Sequence, residues 1–191
     1  MTAMKHEKRR AREAARAARR GVPDEVRTVA AESIARGVLA LDGIEDVRAV
    51  LGYAATPDEA DVSAALRALR ERGARVAYPR VHDDGGLTLH WGDPTSLTPG
   101  FRGILEPADD APVAEPGDID LALVPGTAFD SACCRLGQGG GCYDRLLPQL
   151  RPDALRVGVA FDEQLVDRVP TEPHDVQLDA VVTPTRILRH T

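Results

Sequence analysis

Residues 119–145 read IDLALVPGTAFDSACCRLGQGGGCYDR, and this run predicts a buried strand that leads into a glycine-rich loop. The strand is the apolar segment 119–125, and the glycines stand at 137, 139, 140 and 141, between Arg135 and Arg145. Glycine allows a backbone to turn several N–H groups toward one point, where they can bind an anion. The run therefore predicts a strand, a phosphate-binding loop and a helix in succession.

The loop matches neither of the two common nucleotide fingerprints. A P-loop ends in Gly-Lys-Ser/Thr, and no lysine follows these glycines. A dinucleotide loop places its third glycine where this chain, counted from Gly137, has Cys142. Glycines after an apolar run also occur in plain strand-to-helix turns, which is the alternative for the loop taken alone.

The segment RLGQGGGCYDR at 135–145, preceded by PGTAFD at 125–130, resembles the signature of the 5-formyltetrahydrofolate cyclo-ligases, also called 5,10-methenyltetrahydrofolate synthetases. Other segments resemble the same family: Lys8-x-x-Ala11-Arg12, Glu59 in DEAD, YPR at 78–80, GILEP at 103–107 and PTEPHD at 170–175. The resemblance covers almost the whole chain.

The resemblance implies an ATP-dependent ligase that converts 5-formyltetrahydrofolate into 5,10-methenyltetrahydrofolate and releases ADP and phosphate. In the family's reaction the formyl oxygen attacks the γ-phosphoryl group, and N10 later expels the phosphate. Both nucleophiles belong to the substrate, so the protein must align the reactants and neutralise charge on the phosphoryl group. Arg135 is the predicted catalytic residue, because its planar guanidinium suits phosphate. An ion pair with a carboxylate such as Asp130 is the alternative.

The same resemblance implies ligand contacts along the chain. The nucleotide is expected at Lys8, Arg12, Arg135, Leu136, Gly137, Gln138, Gly139, Gly140, Gly141, Cys142 and Tyr143. The folate is expected at Ala54, Glu59, Gln138, Gly139, Gly140, Gly141 and Cys142, with Tyr53 beside them. Magnesium carried by ATP is expected at Asp144 and Asp175, since such an ion takes one or two protein carboxylates.

Several of these residues also have local explanations. Lys8 and Arg12 lie four apart on one helix face, and an ordinary pair of this kind belongs to a solvated charged face. Glu59 suits the third position of a capping box. Asp144 suits the first turn of the helix after the loop, and Asp175 suits a turn.

Three positions depart from the family pattern. Cys133 stands where glycine is usual, Cys142 replaces an aromatic residue, and Ala11 replaces a leucine. A positive φ at Cys133 costs about 1–2 kcal/mol, so we expect either an altered loop or a negative φ. Loss of the aromatic ring at 142 removes packing area beside the substrate. A paralogue that binds folate or nucleotide with absent or shifted activity is therefore the main alternative function.

The composition suits one α/β domain over residues 1–191, with 43% hydrophobic and 28% charged residues. No run of about 18 apolar residues is present, so no membrane span is expected. Three cysteines without a C-x-x-C pair argue against a disulfide framework and a structural zinc site. We expect a cytoplasmic monomer whose partners are small molecules.

Residues 1–20 form a basic arm, with eight Lys or Arg against two Glu, on a chain whose net charge is -6. A nucleic-acid-associated protein is the third alternative, although an acidic body repels nucleic acid. Residues 5–20 predict a helix of good helix formers whose stripe of small residues requires docking against the body.

Apolar spacing predicts the remaining elements. Helices are expected from Pro23 to Leu41, from Thr56 to Gly73, from Gly141 to Leu150 and near Gln164, with strands at 47–53, 75–79, 87–91, 119–125, 155–161 and 178–183. Strand 87–91 is predicted at an edge, and 92–118 as a long surface connection. The alternation implies a single-domain, Rossmann-like, three-layer α/β/α sandwich with a mostly parallel central sheet.

Overall fold

In the computed structural model, which describes residues 3–82 and 86–190, helices and strands alternate along the chain. The helices are α1 Ala3–Arg20, α2 Asp24–Leu39, α3 Ser63–Glu71 and α4 Cys142–Leu146. The strands are β1 Ala49–Leu51, β2 Arg75–Val81, β3 Leu87–Trp91, β4 Thr98–Pro99, β5 Leu105–Glu106, β6 Val113–Ala114, β7 Leu121–Pro125, β8 Ala128–Phe129, β9 Arg135–Leu136, β10 Leu155–Val159, β11 Ala180–Val182 and β12 Ile187–Arg189.

Eight strands form one sheet in the order β12-β11-β10-β7-β1-β2-β3-β6. The five strands from β11 to β2 are parallel, while β12, β3 and β6 are antiparallel to their neighbours. Val50 of β1 lies opposite Val76 of β2 on one side and Leu121 of β7 on the other. The prediction of a mostly parallel central sheet is confirmed.

Helices cover both faces of this sheet, as parallel strands require. On one face, Ile34 and Val38 of α2 and Leu69 of α3 pack into a buried cluster with strand side chains such as Val50. On the other face, α4 and the 3-10 turn after it pack with the β8–β9 hairpin around Phe129. The mixed α/β fold predicted from the sequence is confirmed.

The strand order reverses next to β1, and this places a crevice at the carboxyl ends of β1 and β7. From β1 the chain proceeds to β2 on one side, and it later returns to place β7 on the other. Tyr53 and Ala54 follow the end of β1, and Gly126 follows the end of β7. In open α/β sheets, ligands bind at such a switch point.

Helix α1 docks against the β8–β9 hairpin rather than against the sheet. Ala15 is buried and packs with Ala128, Leu136 and Val169 in a small separate cluster. The docking expected from the stripe of small residues therefore occurs. Among residues 3–82 and 86–190, no helix has the length and apolarity needed to cross a membrane.

The helix predicted to begin at Thr56 begins instead at Ser63. The backbone and hydroxyl of Thr56 do donate to Glu59 Oε2, both at 3.0 Å, so one of the two contacts of a capping box forms. The N–H of Glu59 donates to the backbone carbonyl of Thr56 and not to its hydroxyl. The Tyr53 hydroxyl donates to the carbonyl of Ala60 at 2.6 Å. In a helix that continued from Thr56, the Ala60 carbonyl would accept a backbone N–H from the next turn. It accepts the Tyr53 hydroxyl instead, so the helix does not begin at Thr56.

Three other predicted elements are wrong in extent or position. The helix predicted over 141–150 ends as an α-helix at Leu146 and continues as a 3-10 turn, because Pro148 has no N–H to donate. Strand β3 is not at the edge, since β6 pairs outside it. The predicted connection 92–118 contains β4, β5 and β6, and the sequence analysis missed β12.

Cys133 adopts the left-handed conformation that its family position suggests, with φ +59. The expectation of a negative φ is therefore wrong, and the side chain is fully buried in the core beneath the sheet. Burial raises the pKa of the Cys133 thiol to about 11, which keeps it neutral. Packing of this thiol therefore offsets the backbone strain.

We expect Cys133→Gly to be more stable than Cys133→Ala, which reverses the usual order of these two residues. Both variants lose the buried sulfur, but the glycine variant also relieves about 1–2 kcal/mol of left-handed strain. Chemical denaturation of the two variants measures the difference. An alanine variant at least as stable as the glycine variant would contradict the assigned conformation.

Candidate active site

A pocket opens at the carboxyl ends of β1, β2 and β7, where the strand order reverses. Its floor includes Tyr53 after β1 and Pro125 at the end of β7, and one wall is the glycine-rich loop. The opposite wall carries apolar side chains from β2, β3 and the β4–β5 hairpin: Pro79, Val81, Leu87, Ile104 and Leu105. The pocket therefore combines a polar loop with an apolar slot.

Several backbone N–H groups of the glycine-rich loop lack an acceptor within the described part of the chain. Among the residues that the structure describes, no group accepts a hydrogen bond from the N–H groups of residues 138–141. Gly139 and Gly141 have φ +114 and +66, conformations that side chains disfavour. A loop with several unpaired amides beside a pocket is suited to hold an anion.

Three arginines hold the carbonyl groups of this loop. Arg12 Nε donates to Gly137 O at 2.9 Å, and Arg16 donates to Gln138 O at 3.1 Å. Arg145 donates to Gly140 O at 3.0 Å. Because each peptide carbonyl is fixed, the N–H groups of the same peptides are held in one orientation. The first two arginines belong to α1, so docking of that helix shapes the loop.

Arg135 lies beneath the loop in an ion pair with Asp144. Its guanidinium donates to Asp144 Oδ1 at 2.7 Å and to the carbonyl of Pro125 at 3.3 Å. The side chain is 3% exposed, and its Nε has no partner among the described residues. Asp130, the alternative partner predicted from sequence, instead accepts backbone N–H groups from Ala132, Cys134 and Val169. The ion pair named as the alternative for Arg135 therefore forms, but its carboxylate is Asp144 and not Asp130.

Lys8 is buried at the other end of the α1 contact. Its Nζ lies 2.6 Å from Asp175 Oδ2 and 2.8 Å from Glu172 Oε2, and the residue is 6% exposed. Burial alone would lower the pKa of Lys8, but the hydrogen bonds to the two carboxylates raise it. Burial would likewise raise the pKa of Asp175, yet the bond from Lys8 lowers it. Lys8 is thus not part of a solvated charged face.

The Lys8 ion pairs predict a pH window for the docking of α1. Carboxylates with a lowered pKa stabilise the fold above their unfolded pKa of about 4 and lose that contribution as the pH falls. Lys8, with a raised pKa, stabilises the fold below about pH 10.4 and loses its contribution above it. We expect the stability difference between the parent and Lys8→Met to be constant from about pH 5 to 10 and to shrink outside that range. Thermal unfolding across this range is the measurement, and a difference independent of pH below 4 would contradict the assignment.

Glu59 lines the pocket and is hydrogen-bonded to a side chain of the glycine-rich loop. Gln138 Nε2 donates to Glu59 Oε1 at 3.2 Å, while the N–H and the hydroxyl of Thr56 both donate to Oε2. The ring of Tyr143, in the first turn of α4, has its centre 5.6 Å from the guanidinium carbon of Arg135. Its phenol also interacts electrostatically with Glu59. Burial raises the pKa of the Tyr143 phenol, and it does the same for Tyr53. Both phenols are therefore neutral.

The structure gathers most of the predicted site residues at this pocket. The pocket is lined by Ala54, Glu59, Arg135, Gly137, Gln138, Gly140, Gly141, Cys142, Tyr143 and Asp144. Five predicted residues stand behind this lining: Lys8 and Asp175 in their ion pair, Arg12 on the loop carbonyl, Gly139 beside Arg12, and Leu136 in the α1 contact. Their roles toward a ligand stay predictions.

Sequence analysis missed Arg16 and Glu106. Arg16 is one of several cations on α1, and nothing local distinguishes the one that reaches the loop. Glu106 stands in the quoted segment GILEP, to which no role was assigned, and it lines the pocket while being 2% exposed. Its burial arises from the fold of the β4–β5 hairpin, which short-range patterns do not reveal.

Comparison with known proteins places the chain in one family. The family model described as "5-formyltetrahydrofolate cyclo-ligase family" matches residues 4–184. A 5-formyltetrahydrofolate cyclo-ligase of Mycolicibacterium smegmatis is 38% identical over 88% of this chain and 89% of its own length. The corresponding Escherichia coli protein is 35% identical over 68% of this chain and 74% of its own length.

A solved structure agrees with these sequence relatives. The 5,10-methenyltetrahydrofolate synthetase of Aquifex aeolicus is 29% identical, superposes with a TM-score of 0.82, and covers 96% of this chain and 92% of that one. The family model matches residues 4–184, a range that includes most of the N-terminal helix, the glycine-rich loop and the segment that carries Asp175. The chain belongs to the 5-formyltetrahydrofolate cyclo-ligase family.

Proposed function

We propose that this protein converts 5-formyltetrahydrofolate into 5,10-methenyltetrahydrofolate at the expense of ATP, with release of ADP and phosphate. Family membership supports this reaction. The structural observation that carries it is the glycine-rich loop, whose N–H groups at 138–141 have no acceptor among the described residues while arginines hold its carbonyls. Such a loop suits a polyphosphate.

The residues at the pocket fit a reaction in which both nucleophiles come from the substrate. The formyl oxygen attacks the γ-phosphoryl group, and N10 then displaces phosphate to close the ring. The loop amides would hold the triphosphate, and Arg135 would stabilise charge on the transferred group. Arg135 is suited to this because burial and the Asp144 contact fix its guanidinium in one orientation. The slot on the opposite wall would hold the folate, with Ala54 and Glu59 beside it.

The carboxylates at the site are compatible with magnesium carried by the nucleotide. Such an ion commonly takes one or two protein carboxylates, and it neutralises charge on the phosphate oxygens. Asp144 Oδ2 has no hydrogen-bond donor among the described residues, so Asp144 would hold the ion. Asp175 Oδ2 already accepts from Lys8 and from the N–H of Glu172. Within the described ranges, no group of three or more His, Cys, Asp or Glu side chains could hold a metal ion without the nucleotide.

An assay with 5-formyltetrahydrofolate and Mg-ATP tests the proposal. We expect the methenyl chromophore to appear together with one ADP per product, and neither to appear when ATP is omitted. A non-catalytic paralogue, the alternative suggested by Cys133 and Cys142, would bind ligand without releasing ADP. Absence of product at high enzyme concentration would defeat the proposed reaction. Steep salt-dependent affinity for DNA or RNA would favour the nucleic-acid alternative.

A further inference from the structure

Arg27 joins the end of α1 to the segment that follows β1. It lies in the first turns of α2, is half-buried, and forms no ion pair with a carboxylate among the residues that the structure describes. Its Nη2 donates to the carbonyl of Arg19 in α1, and its Nε donates to the carbonyl of Val22 at 3.1 Å. Its Nη1 donates to the carbonyl of Pro57 at 3.2 Å. One guanidinium therefore connects two parts of the chain that are about 40 residues apart.

The surroundings of Arg27 hold its guanidinium in one place. The guanidinium carbon lies 5.0 Å from the ring centre of Phe161, which is 1% exposed, and a cation over an aromatic face is attracted to it. The carbonyls at the end of α1 carry the negative end of the helix dipole, which favours a cation. Because the donors of an arginine form a rigid planar fork, Arg27 fixes the carbonyls that it bonds relative to one another.

The segment that Arg27 holds contains the Glu59 turn, residues 56–59. Within the described part of the chain, two side chains from other segments donate hydrogen bonds to this turn: Gln138 to Glu59 Oε1 and Arg27 to the carbonyl of Pro57. Its other hydrogen bonds join Thr56 with Glu59 inside the turn. A segment with few bonds to the body opens easily when one is lost. Since Gln138 is itself a predicted ligand contact, Arg27 supplies the bond that does not involve a ligand.

Helix α1 completes a connection from the glycine-rich loop to the Glu59 turn. Arg12 and Arg16 of α1 hold the carbonyls of Gly137 and Gln138, and Arg27 bonds the last turn of the same helix. The connection sets the position of Glu59 relative to the loop. Ligands held at the two places must meet at a short distance to react, so this relative position matters for binding both in a productive geometry.

We propose that Arg27 is a positioning residue for the folate, which holds the Glu59 turn in the conformation that binds the substrate. This inference rests on the proposed function, because it assigns a supporting residue to the same pocket. Arg27 is not among the described residues that line the pocket, so it acts through the turn and not on the ligand.

Arg27→Met tests the proposal, because it keeps an unbranched side chain but removes all three hydrogen bonds. We expect equilibrium affinity for 5-formyltetrahydrofolate to fall about 3- to 10-fold, the range for ordering one flexible group on binding. The KM for this substrate should rise while kcat changes less than about threefold, because the bound ligand restores the turn. Affinity for ATP should stay within about twofold, since Lys8, Arg12 and Arg16 still hold α1. Arg36→Met, at an exposed position of the same helix, is the matched control and should change neither affinity.

Two further variants separate positioning from general stability. In a Glu59→Gln background, Arg27→Met should lower folate affinity by less than about twofold, because the contact that it supports is already impaired. Arg27→Lys keeps a cation at the end of α1 but loses the planar fork, so it should regain thermal stability without regaining folate affinity. Arg27→Lys also provides the affinity measurement if Arg27→Met does not fold.

Three results would overturn the role of Arg27. They are equal losses of ATP and folate affinity in Arg27→Met, a full additional loss of folate affinity in the Glu59→Gln background, and recovery of folate affinity in Arg27→Lys. Failure of the parent protein itself to bind 5-formyltetrahydrofolate would defeat the proposed function instead.

Discussion

Arg135→Ala is expected to lower kcat about 1,000-fold or more, the effect typical of an arginine that stabilises a transferring phosphoryl group. Arg135 lines the pocket beneath the glycine-rich loop, is 3% exposed and is fixed by Asp144 at 2.7 Å. A cation held in a buried position stabilises charge strongly, because little water screens it. The KM for ATP should change less than kcat, since the loop amides remain to bind the nucleotide.

Steady-state kinetics with a folding check measures this effect. Arg135→Lys retains a charge but loses the planar fork, so we expect it to recover part of the lost kcat. Arg156→Ala, at the far end of β10 and paired with Asp179, is a control that removes a half-buried arginine away from the pocket. Thermal melting separates loss of catalysis from loss of structure, because Asp144 loses its partner in the variant. A kcat within tenfold of the parent would remove Arg135 from the reaction.

The parts of the site predicted from sequence are those that consecutive residues encode. Leu121, Ala122, Leu123 and Val124 form a run in which every side chain is buried, which is typical of a central parallel strand. The glycines follow that strand directly, so their position at its carboxyl end could be predicted without knowing the sheet order. Helix α1 was predicted for the same reason, since helix formers and its stripe of small residues are local features.

The parts that sequence did not predict depend on contacts between distant segments. The Thr56 N–H donates to the Glu59 carboxylate as in a capping box, yet no helix begins there, because the Tyr53 hydroxyl donates to the carbonyl of Ala60. Asp130 and Asp144 both lie near Arg135 in sequence. Backbone N–H groups donate to Asp130, and Arg135 pairs with Asp144. Local spacing cannot rank such competing partners.

Burial of charged residues was the least predictable property. Glu106 lies in a segment rich in Pro and Gly, which local rules assign to the surface, and the β4–β5 hairpin turns it inward. Lys8 lies on a helix with seven other Lys or Arg residues, and of these eight only Lys8 forms ion pairs with Glu172 and Asp175. In both cases the partner or the cavity lies far away in sequence.

Lys8→Met is expected to destabilise the protein by about 3 kcal/mol, the lower end of the range for removing one partner of a buried ion pair. The substitution keeps an unbranched chain of similar size but leaves Asp175, 13% exposed, without its cation. Because α1 also carries Arg12 and Arg16, loosening of this helix releases the carbonyls of Gly137 and Gln138. We therefore expect a raised KM for ATP with a smaller change in kcat.

Denaturant unfolding and ATP titration measure the two effects, and a second substitution identifies their origin. Asp175→Asn in the Lys8→Met background removes the unpaired charge, so it should recover part of the lost stability if that charge is the cause. It should not restore the KM for ATP, because α1 still lacks its ion pairs. Lys5→Met, on the exposed side of the same helix, should change stability by less than about 0.5 kcal/mol. Equal effects of Lys5→Met and Lys8→Met would mean that net charge, and not the contact with Asp175, holds α1 in place.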